Sequence, residues 1–135
     1  MRRRSLARVA AAAAVLATGA IVGRSDAAVE HTPPPAYKAL ICRAFGAACS
    51  HWIRIADCET GHTWNARSRG KAGEIGLFQI HPVHWYHTIR SRHAGSVYVS
   101  PGRLTDPAFN VRVAYVLSDG GRNDRPWTCR YAANR

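Results

Sequence analysis

Glu59 is the acidic residue of this chain whose surroundings best fit an acid catalyst. It ends an apolar stretch, and a polar loop over 61–75 separates it from the run 76–80, which reads Gly-Leu-Phe-Gln-Ile. A glycosidic oxygen leaves poorly unless it receives a proton as the bond breaks. One carboxylate at a helix end, opposite a glycine-containing loop and a glutamine, is therefore typical of a glycosidase proton donor.

The neighbours of Glu59 predict a raised pKa for its carboxyl group. Trp52, Ile55 and Ala56 precede it at spacings that place all four residues on one helical face. Desolvation on that face disfavours the charged form, and the negative end of the helix dipole acts in the same direction. A solvent-exposed glutamate, or one paired with a nearby arginine, is the alternative that these residues leave open.

Glu74 is a possible second carboxylate, two positions before Gly76. If it faces the same cleft, it can hold a water on the opposite side of the sugar, which permits hydrolysis. With Glu59 alone, the sugar's own hydroxyl would act as nucleophile and leave a 1,6-anhydro end. The alternative, which we favour from the sequence, is a loop glutamate that bonds backbone N–H groups, Arg67 or Arg69.

The elements that position these acids are predicted from capping residues and apolar spacing. Helices are expected at 37–45 and at 51–60, the second capped by Ser50 and ended by Gly61. Residues 77–89 are expected to form one or two short helices interrupted at Pro82, followed by a loop over 91–102.

A last helix is expected to begin at Thr105–Pro107 and to end at Gly120–Gly121, with an apolar stripe that includes Phe109 and Val113. The predicted fold is a mainly α (α+β) small single domain of four to five helices. A long loop or short hairpin follows the helix that carries Glu59.

Four cysteines in a short exported chain predict two disulfides. Three connectivities are possible. We favour Cys42–Cys49, because Gly46 can turn the chain between them, and Cys58–Cys129, which would tie the residue before Glu59 to the C-terminal segment. A zinc site is the alternative, but no pair of cysteines has CxxC spacing.

The N-terminus predicts export. Residues 1–28 resemble a secretory signal peptide, with Arg2–Arg4, an apolar run over 10–22 and small residues at Ser25, Ala27 and Ala28. A membrane anchor is the alternative, but the apolar run is shorter than the ~20 residues that a spanning helix needs. Residues 29–49 are expected to form a proline-containing leader and the first helix, and residues 50–135 the main domain. The expected location is extracytoplasmic and associated with the cell wall.

The exported part remains strongly basic. Residues 29–135 carry 14 of the 19 Lys and Arg residues and 7 of the 8 acidic residues, a net charge of +7 with histidine neutral. This charge favours polyanionic partners, such as nucleic acid or an anionic wall. No stretch of Lys and Arg interleaved with aromatics predicts a nucleic-acid site, so we expect none.

Three motifs in order resemble the lysozyme-like lytic transglycosylases. The stretch 58–61 (Cys-Glu-Thr-Gly), Trp64–Asn65, and 76–80 with Pro82 resemble that family's Glu-Ser, loop, Gly-Leu-Met-Gln-Ile and proline. Residues 104–110 resemble its later Asp-Pro-x-x-Asn element. The cysteine before Glu59 and the late Trp-x-Cys resemble actinobacterial wall enzymes related to resuscitation-promoting factors. Together these motifs span roughly 50–130.

The resemblance implies a lysozyme-like fold and specific roles. Glu59 would be general acid and then general base, Gln79 and Asn110 would bind sugar or position the site, and Phe78 would line the cleft. Ser68 would match a serine that hydrogen-bonds the catalytic acid. Tyr115 would lie either in the core or in the cleft, and we include it among the predicted substrate-binding residues.

The implied activity is cleavage of the bond between N-acetylmuramic acid and N-acetylglucosamine in peptidoglycan, by lytic transglycosylation in preference to hydrolysis. A non-catalytic glycan-binding or wall-signalling module is the other possibility, as is a basic nucleic-acid-binding or antimicrobial protein. The chain is expected to act as a monomer on glycan strands, without a cofactor and without a membrane anchor after signal cleavage. His81, His84 and His87 suggest zinc by their spacing, but no HExxH motif accompanies them, so no metal is expected.

Overall fold

The computed structural model describes residues 31–135, so the predicted signal peptide lies outside the described part of the chain. Helix α1 spans Pro35–Phe45 and begins directly after Pro34, with proline at its first position. Gly46, at φ 53°, ends it, and a 3-10 turn over Gly46–Ala48 leads into the next helix. Within residues 31–135, no helix is both long enough and apolar enough to cross a membrane.

Helix α2 spans Cys49–Glu59 and carries the predicted apolar face. Trp52, Ile55 and Ala56 are all fully buried on it. The predicted start was wrong: the helix begins one residue before Ser50, and Ala48 precedes it without a side-chain cap. The chain already turns in helical geometry through Gly46–Ala48, so no capping side chain is needed to redirect it.

The region after α2 is irregular and contains fewer helices than predicted. Residues 60–87 form turns held by two isolated β-bridges, Arg69 with Ile75 and Ile75 with Ile80. The helices expected over 77–89 are absent, because only a 3-10 helix at Pro82–His84 forms there. The count of four to five helices is therefore not confirmed.

A β-hairpin lies where a loop was expected. Strand β1 (Thr88–Ser91) pairs antiparallel with β2 (Gly95–Tyr98), with Thr88 opposite Tyr98. Asp119 holds the turn from outside the hairpin: one of its oxygens accepts from the Ser91 hydroxyl at 2.6 Å and the other lies 2.7 Å from Nδ1 of His93. These contacts come from a residue distant in sequence, so local pattern did not reveal the hairpin.

Helix α3 spans Pro107–Leu117, and its predicted start is confirmed: Asp106 caps it by accepting from the Phe109 N–H, and Pro107 takes the first position. It ends one turn before Gly120–Gly121, and Asp119 adopts the left-handed conformation (φ 52°) that closes it. A single-turn helix, α4 (Arg130–Ala133), follows near the C-terminus. The described residues thus form a small α+β domain of three 11-residue helices, one short helix and a two-stranded sheet.

One hydrophobic core joins all the helices. An aromatic cluster forms its centre: Trp52 stacks on Phe45 with ring centroids 4.4 Å apart, and Trp127 meets Trp52 edge-on at 5.0 Å. Because Ile41 and Phe45 of α1 belong to this core, α1 packs as part of the same domain as residues 50–135. Both favoured disulfides are present, Cys42–Cys49 and Cys58–Cys129, with Cα atoms 4.7 and 5.8 Å apart.

Candidate active site

Glu59 is the last residue of α2, and the geometry of the helix end fixes its position. The Gly61 N–H bonds the Cys58 carbonyl at 2.9 Å, and the His62 N–H bonds the Asp57 carbonyl at 2.8 Å. This pair of bonds is a Schellman motif, which requires a left-handed residue where Gly61 stands at φ 59°. The predicted role of Gly61 as the helix stop is confirmed.

The disulfide beside Glu59 brings a second segment to its carboxylate. Cys58 is bonded to Cys129, and the backbone N–H of Cys129 donates to Oε1 of Glu59 at 3.3 Å. Trp127, two residues earlier, is buried, and its indole N–H donates to the Phe78 carbonyl at 2.8 Å. The C-terminal segment is therefore fixed at two points and forms one wall of the site.

Burial is the main cause of a raised pKa at Glu59, which lies half-buried at the helix end. The hydrogen bond from Cys129 opposes this shift by favouring the charged carboxylate. The negative charge of Glu74 adds to the rise. A carboxyl group with a raised pKa stays protonated to higher pH, which is the property that a proton donor needs.

Glu74 reaches the same cleft from the loop opposite. Its Oε2 accepts from the Ala72 N–H at 3.0 Å, so part of the expected structural role is present. Its other oxygen makes no hydrogen bond within residues 31–135, and no ion pair joins Glu74 to Arg67 or Arg69 there. One carboxylate oxygen is thus bonded to backbone, while the second has no hydrogen-bond partner among residues 31–135.

Gln79 is held in an unusual conformation at the floor of the cleft. Its φ of 45° is left-handed, a conformation that non-glycine residues adopt at a cost and mostly where the surroundings enforce it. The side-chain NH₂ donates to the carbonyls of Gly76 and Ser68 at 2.8 and 3.1 Å. Both of its donors are thus used, which leaves the amide oxygen of this cleft-lining residue as the group able to accept a further hydrogen bond.

The side chains of Glu74 and Gln79 both approach the backbone of Gly70. A Cβ built on Gly70 would come within 2.8 Å of the Gln79 amide oxygen and closer still to the Glu74 carboxylate. Because these atoms are the ends of flexible side chains, a larger residue at position 70 would have to displace them from the positions that they occupy here. Glu74 and Gln79 therefore meet on the same side of the cleft.

Asn110 positions the site from inside the core. It is fully buried; its Oδ1 accepts from the Phe78 N–H at 2.9 Å, and its Nδ2 donates to the carbonyls of Ile75 and Leu104, each at 2.9 Å. These bonds hold the 75–79 loop in place below Gln79. Of the two roles expected for Asn110, positioning is the one that its location allows, and direct contact with a sugar is excluded by burial.

Three other predicted site residues lie outside the cleft. Phe78 is fully buried among the core aromatics, so the expectation that it lines the cleft is corrected. Tyr115 packs edge-on against Phe45 at 5.5 Å and lines a separate hollow beside α1. Ser68 makes its hydrogen bonds within the described residues through its backbone, and none of them reaches Glu59.

The resulting cleft is open, polar and about 300 Å³ in volume. Its lining residues are Glu59, Gly70, Lys71, Glu74, Gln79, His81, Pro126, Trp127 and Thr128. Six lining residues were not predicted as site residues: Gly70, Lys71, His81, Pro126, Trp127 and Thr128. Their sequence signals were the spacing of His81 with two other histidines and the Trp-x-Cys motif that contains Trp127, because loops distant in sequence bring the rest together.

Comparisons of this chain with protein-family models, with curated proteins and with solved structures found no match. The functional assignment therefore depends on the chemistry of the cleft itself.

Proposed function

We propose that this protein is an exported glycosidase that cleaves the bond between N-acetylmuramic acid and N-acetylglucosamine in peptidoglycan. The observation that carries the proposal is the pairing of a half-buried Glu59, whose pKa is raised, with Glu74 in one open cleft. Two carboxyl groups in unlike environments can divide the roles of proton donor and anion, which is what glycosidic cleavage requires.

In the proposed reaction, protonated Glu59 donates its proton to the glycosidic oxygen as the bond to the anomeric carbon breaks. The leaving sugar departs as an alcohol, and the other sugar develops positive charge at its anomeric carbon. The Glu59 carboxylate that remains keeps its hydrogen bond from the Cys129 N–H. It then takes a proton from the incoming nucleophile, which restores the acid.

The identity of the nucleophile decides whether the reaction is lytic transglycosylation or hydrolysis. Attack by the 6-hydroxyl of the same muramic acid residue gives a 1,6-anhydro end, which is the lytic transglycosylation expected from the sequence. Attack by water gives a reducing end. The location of Glu74 in the cleft favours the second outcome, because a carboxylate there can orient a water or stabilise the positive sugar.

The remaining lining groups suit a polar, partly anionic glycan. The Gln79 amide oxygen can accept from a sugar hydroxyl, since both donors of that amide are already used. Lys71 adds a cation at the rim of the cleft, where a carboxylate of a muramyl peptide can bind. The overall charge of +7 over residues 29–135 favours approach to an anionic wall.

The test is mass spectrometry of muropeptides released from purified peptidoglycan by the oxidised protein, with Glu59→Gln and Glu74→Gln alongside. We expect soluble products from the native protein and none from Glu59→Gln. Reducing ends that disappear with Glu74→Gln support hydrolysis, whereas anhydro ends that persist in Glu74→Gln support transglycosylation. If the native protein binds the wall but releases no product, the glycosidase proposal is wrong and a glycan-binding module accounts better for the cleft.

A further inference from the structure

A second cluster of chemically active side chains lies on the opposite side of α2 from Glu59. His31, Asp57 and His62 each present a possible ligand atom, and these three atoms lie within 4.8 Å of one another. Asp57 precedes Glu59 by two positions, which turns it by about 200° around the helix. None of the three residues lines the candidate active site.

The fold holds these side chains together by contacts separate from the cluster itself. His62 takes a left-handed conformation (φ 65°) as the residue after Gly61 in the Schellman motif, which directs it back over Asp57. The indole N–H of Trp64 donates to the His31 carbonyl at 3.0 Å and fixes the leader there. The His31 and His62 rings then stack with centroids 4.4 Å apart.

The Asp57 carboxylate has an unused ligand atom. Its Oδ2 lies 2.8 Å from Nδ1 of His62. Its Oδ1 is buried and has no hydrogen-bond partner among the described residues. A buried carboxylate oxygen without a partner costs free energy, which a bound cation would recover.

The donor set identifies the class of cation. We propose that His31, Asp57 and His62 bind a divalent transition metal of the zinc type. Two imidazole nitrogens and one carboxylate oxygen are common Zn²⁺ ligands, whereas Ca²⁺ and Mg²⁺ prefer oxygen ligands alone. The adjoining cavity, about 550 Å³ in volume, has room for a water as fourth ligand.

Lys38 and Arg54 line the same cavity, so long-range attraction does not favour a cation there. One donor of Arg54 points away from the ligands, since its Nε donates to the Ala133 carbonyl at 2.9 Å. Direct bonds from the three ligands must therefore supply the affinity. The consequence of binding is structural: the metal would fasten the leader at His31 to α2 and to the loop that follows it.

Isothermal titration of the oxidised protein with Zn²⁺ in chelator-free buffer tests this site. The variants are His31→Gln and His62→Gln, and the matched control is His93→Gln. His93 also has Nδ1 close to an aspartate oxygen, at 2.7 Å from Asp119, but among residues 31–135 no third histidine, cysteine or acidic ligand accompanies that pair. We expect one Zn²⁺ per chain, binding at least about tenfold weaker in both test variants and unchanged in the control.

A second readout locates the metal. Zn²⁺ is expected to raise the Tm of the native protein and not that of His62→Gln, and to shift the imidazole NMR signals of His31 and His62. Absence of Zn²⁺ binding to the native protein would overturn the proposal. Equal affinity in His62→Gln would also overturn it, because the ion would then lie elsewhere, for example at His81 and its neighbours.

Discussion

The backbone N–H of Cys129 donates to Oε1 of Glu59 at 3.3 Å, joining two residues that lie 70 positions apart in the chain. The disulfide from Cys58, the immediate neighbour of Glu59, holds that donor in place. Two opposing influences thus act on the pKa of Glu59: burial raises it and favours the protonated form, whereas this hydrogen bond lowers it and favours the carboxylate.

Replacing Glu59 by Gln keeps the shape of the side chain and removes its transferable proton. We expect glycan cleavage to fall by about 100- to 10,000-fold, the usual contribution of a general acid. Dye release from labelled peptidoglycan measures this. Asp124→Asn is the control, since Asp124 pairs with His51 outside the cleft. Equal activity in Glu59→Gln and the native protein would remove Glu59 from the mechanism.

Replacing Glu74 by Gln should change the pH profile. The charge of Glu74 helps to raise the pKa of Glu59, so its removal lowers that pKa. Activity needs protonated Glu59 and falls as pH rises through its pKa. The alkaline limb of kcat/KM should therefore move to lower pH in Glu74→Gln. An unmoved limb, measured on residual activity, would show that the two carboxyl groups do not interact.

Replacing Asn110 by Ala should destabilise the domain. It leaves the buried Phe78 N–H and the Ile75 and Leu104 carbonyls without their partner, which we expect to cost about 2–4 kcal/mol of unfolding free energy. Urea denaturation measures the change. Asn65→Ala, which removes one exposed bond to the Arg67 N–H, should cost no more than about 0.5 kcal/mol. Similar losses in both variants would contradict the positioning role.

The two disulfides should differ in their effects on unfolding free energy. They join residues 71 and 7 positions apart, for which the chain-entropy model gives about 4 and about 2 kcal/mol. Only the Cys58→Ala, Cys129→Ala pair should also alter activity, because it frees the N–H that bonds Glu59. Cys42→Ala, Cys49→Ala is the matched control. Activity lost equally in both, under conditions where each is folded, would contradict the specific link to Glu59.

Asp119 should make the stability of the domain depend on pH, with stability lost as pH falls, whereas the activity that needs protonated Glu59 is lost as pH rises. Hydrogen bonds from Ser91 and His93 hold the pKa of Asp119 well below its usual range. A depressed pKa contributes stability above the unfolded-state value, and that stability is lost as pH falls. Asp119→Asn should therefore be less stable than the native protein at neutral pH, with the difference shrinking in acid. Thermal melts across pH measure this, and a constant difference would contradict it.

The sequence predicted those features of the site that short-range pattern determines. Glu59 lies on the face set by Trp52 and Ile55, and Gly61 ends the helix, because helical spacing and a left-handed stop are local properties. The pairing of Cys58 with Cys129 also followed, since the expected turn at Gly46 favours Cys42–Cys49 and leaves the other two cysteines to pair.

The remaining features depend on contacts between segments distant in the chain. Phe78 was expected in the cleft, yet its side chain is fully buried, and its backbone N–H donates to Asn110, which lies 32 positions further along the chain. Lys71 and Thr128 reach the cleft only because two loops meet there. The hairpin at β1 and β2 depends on Asp119, and no local spacing indicates that contact.

The disulfide between Cys58 and Cys129 also makes the geometry around Glu59 depend on the redox state of its surroundings. Thiols stay reduced in a reducing compartment such as the cytosol, whereas disulfides persist in an oxidising one. A reduced chain lacks the covalent link that holds the Cys129 N–H beside Glu59. The arrangement around Glu59 is therefore complete only under oxidising conditions, so a reductant is expected to loosen it without any change in the amino-acid sequence.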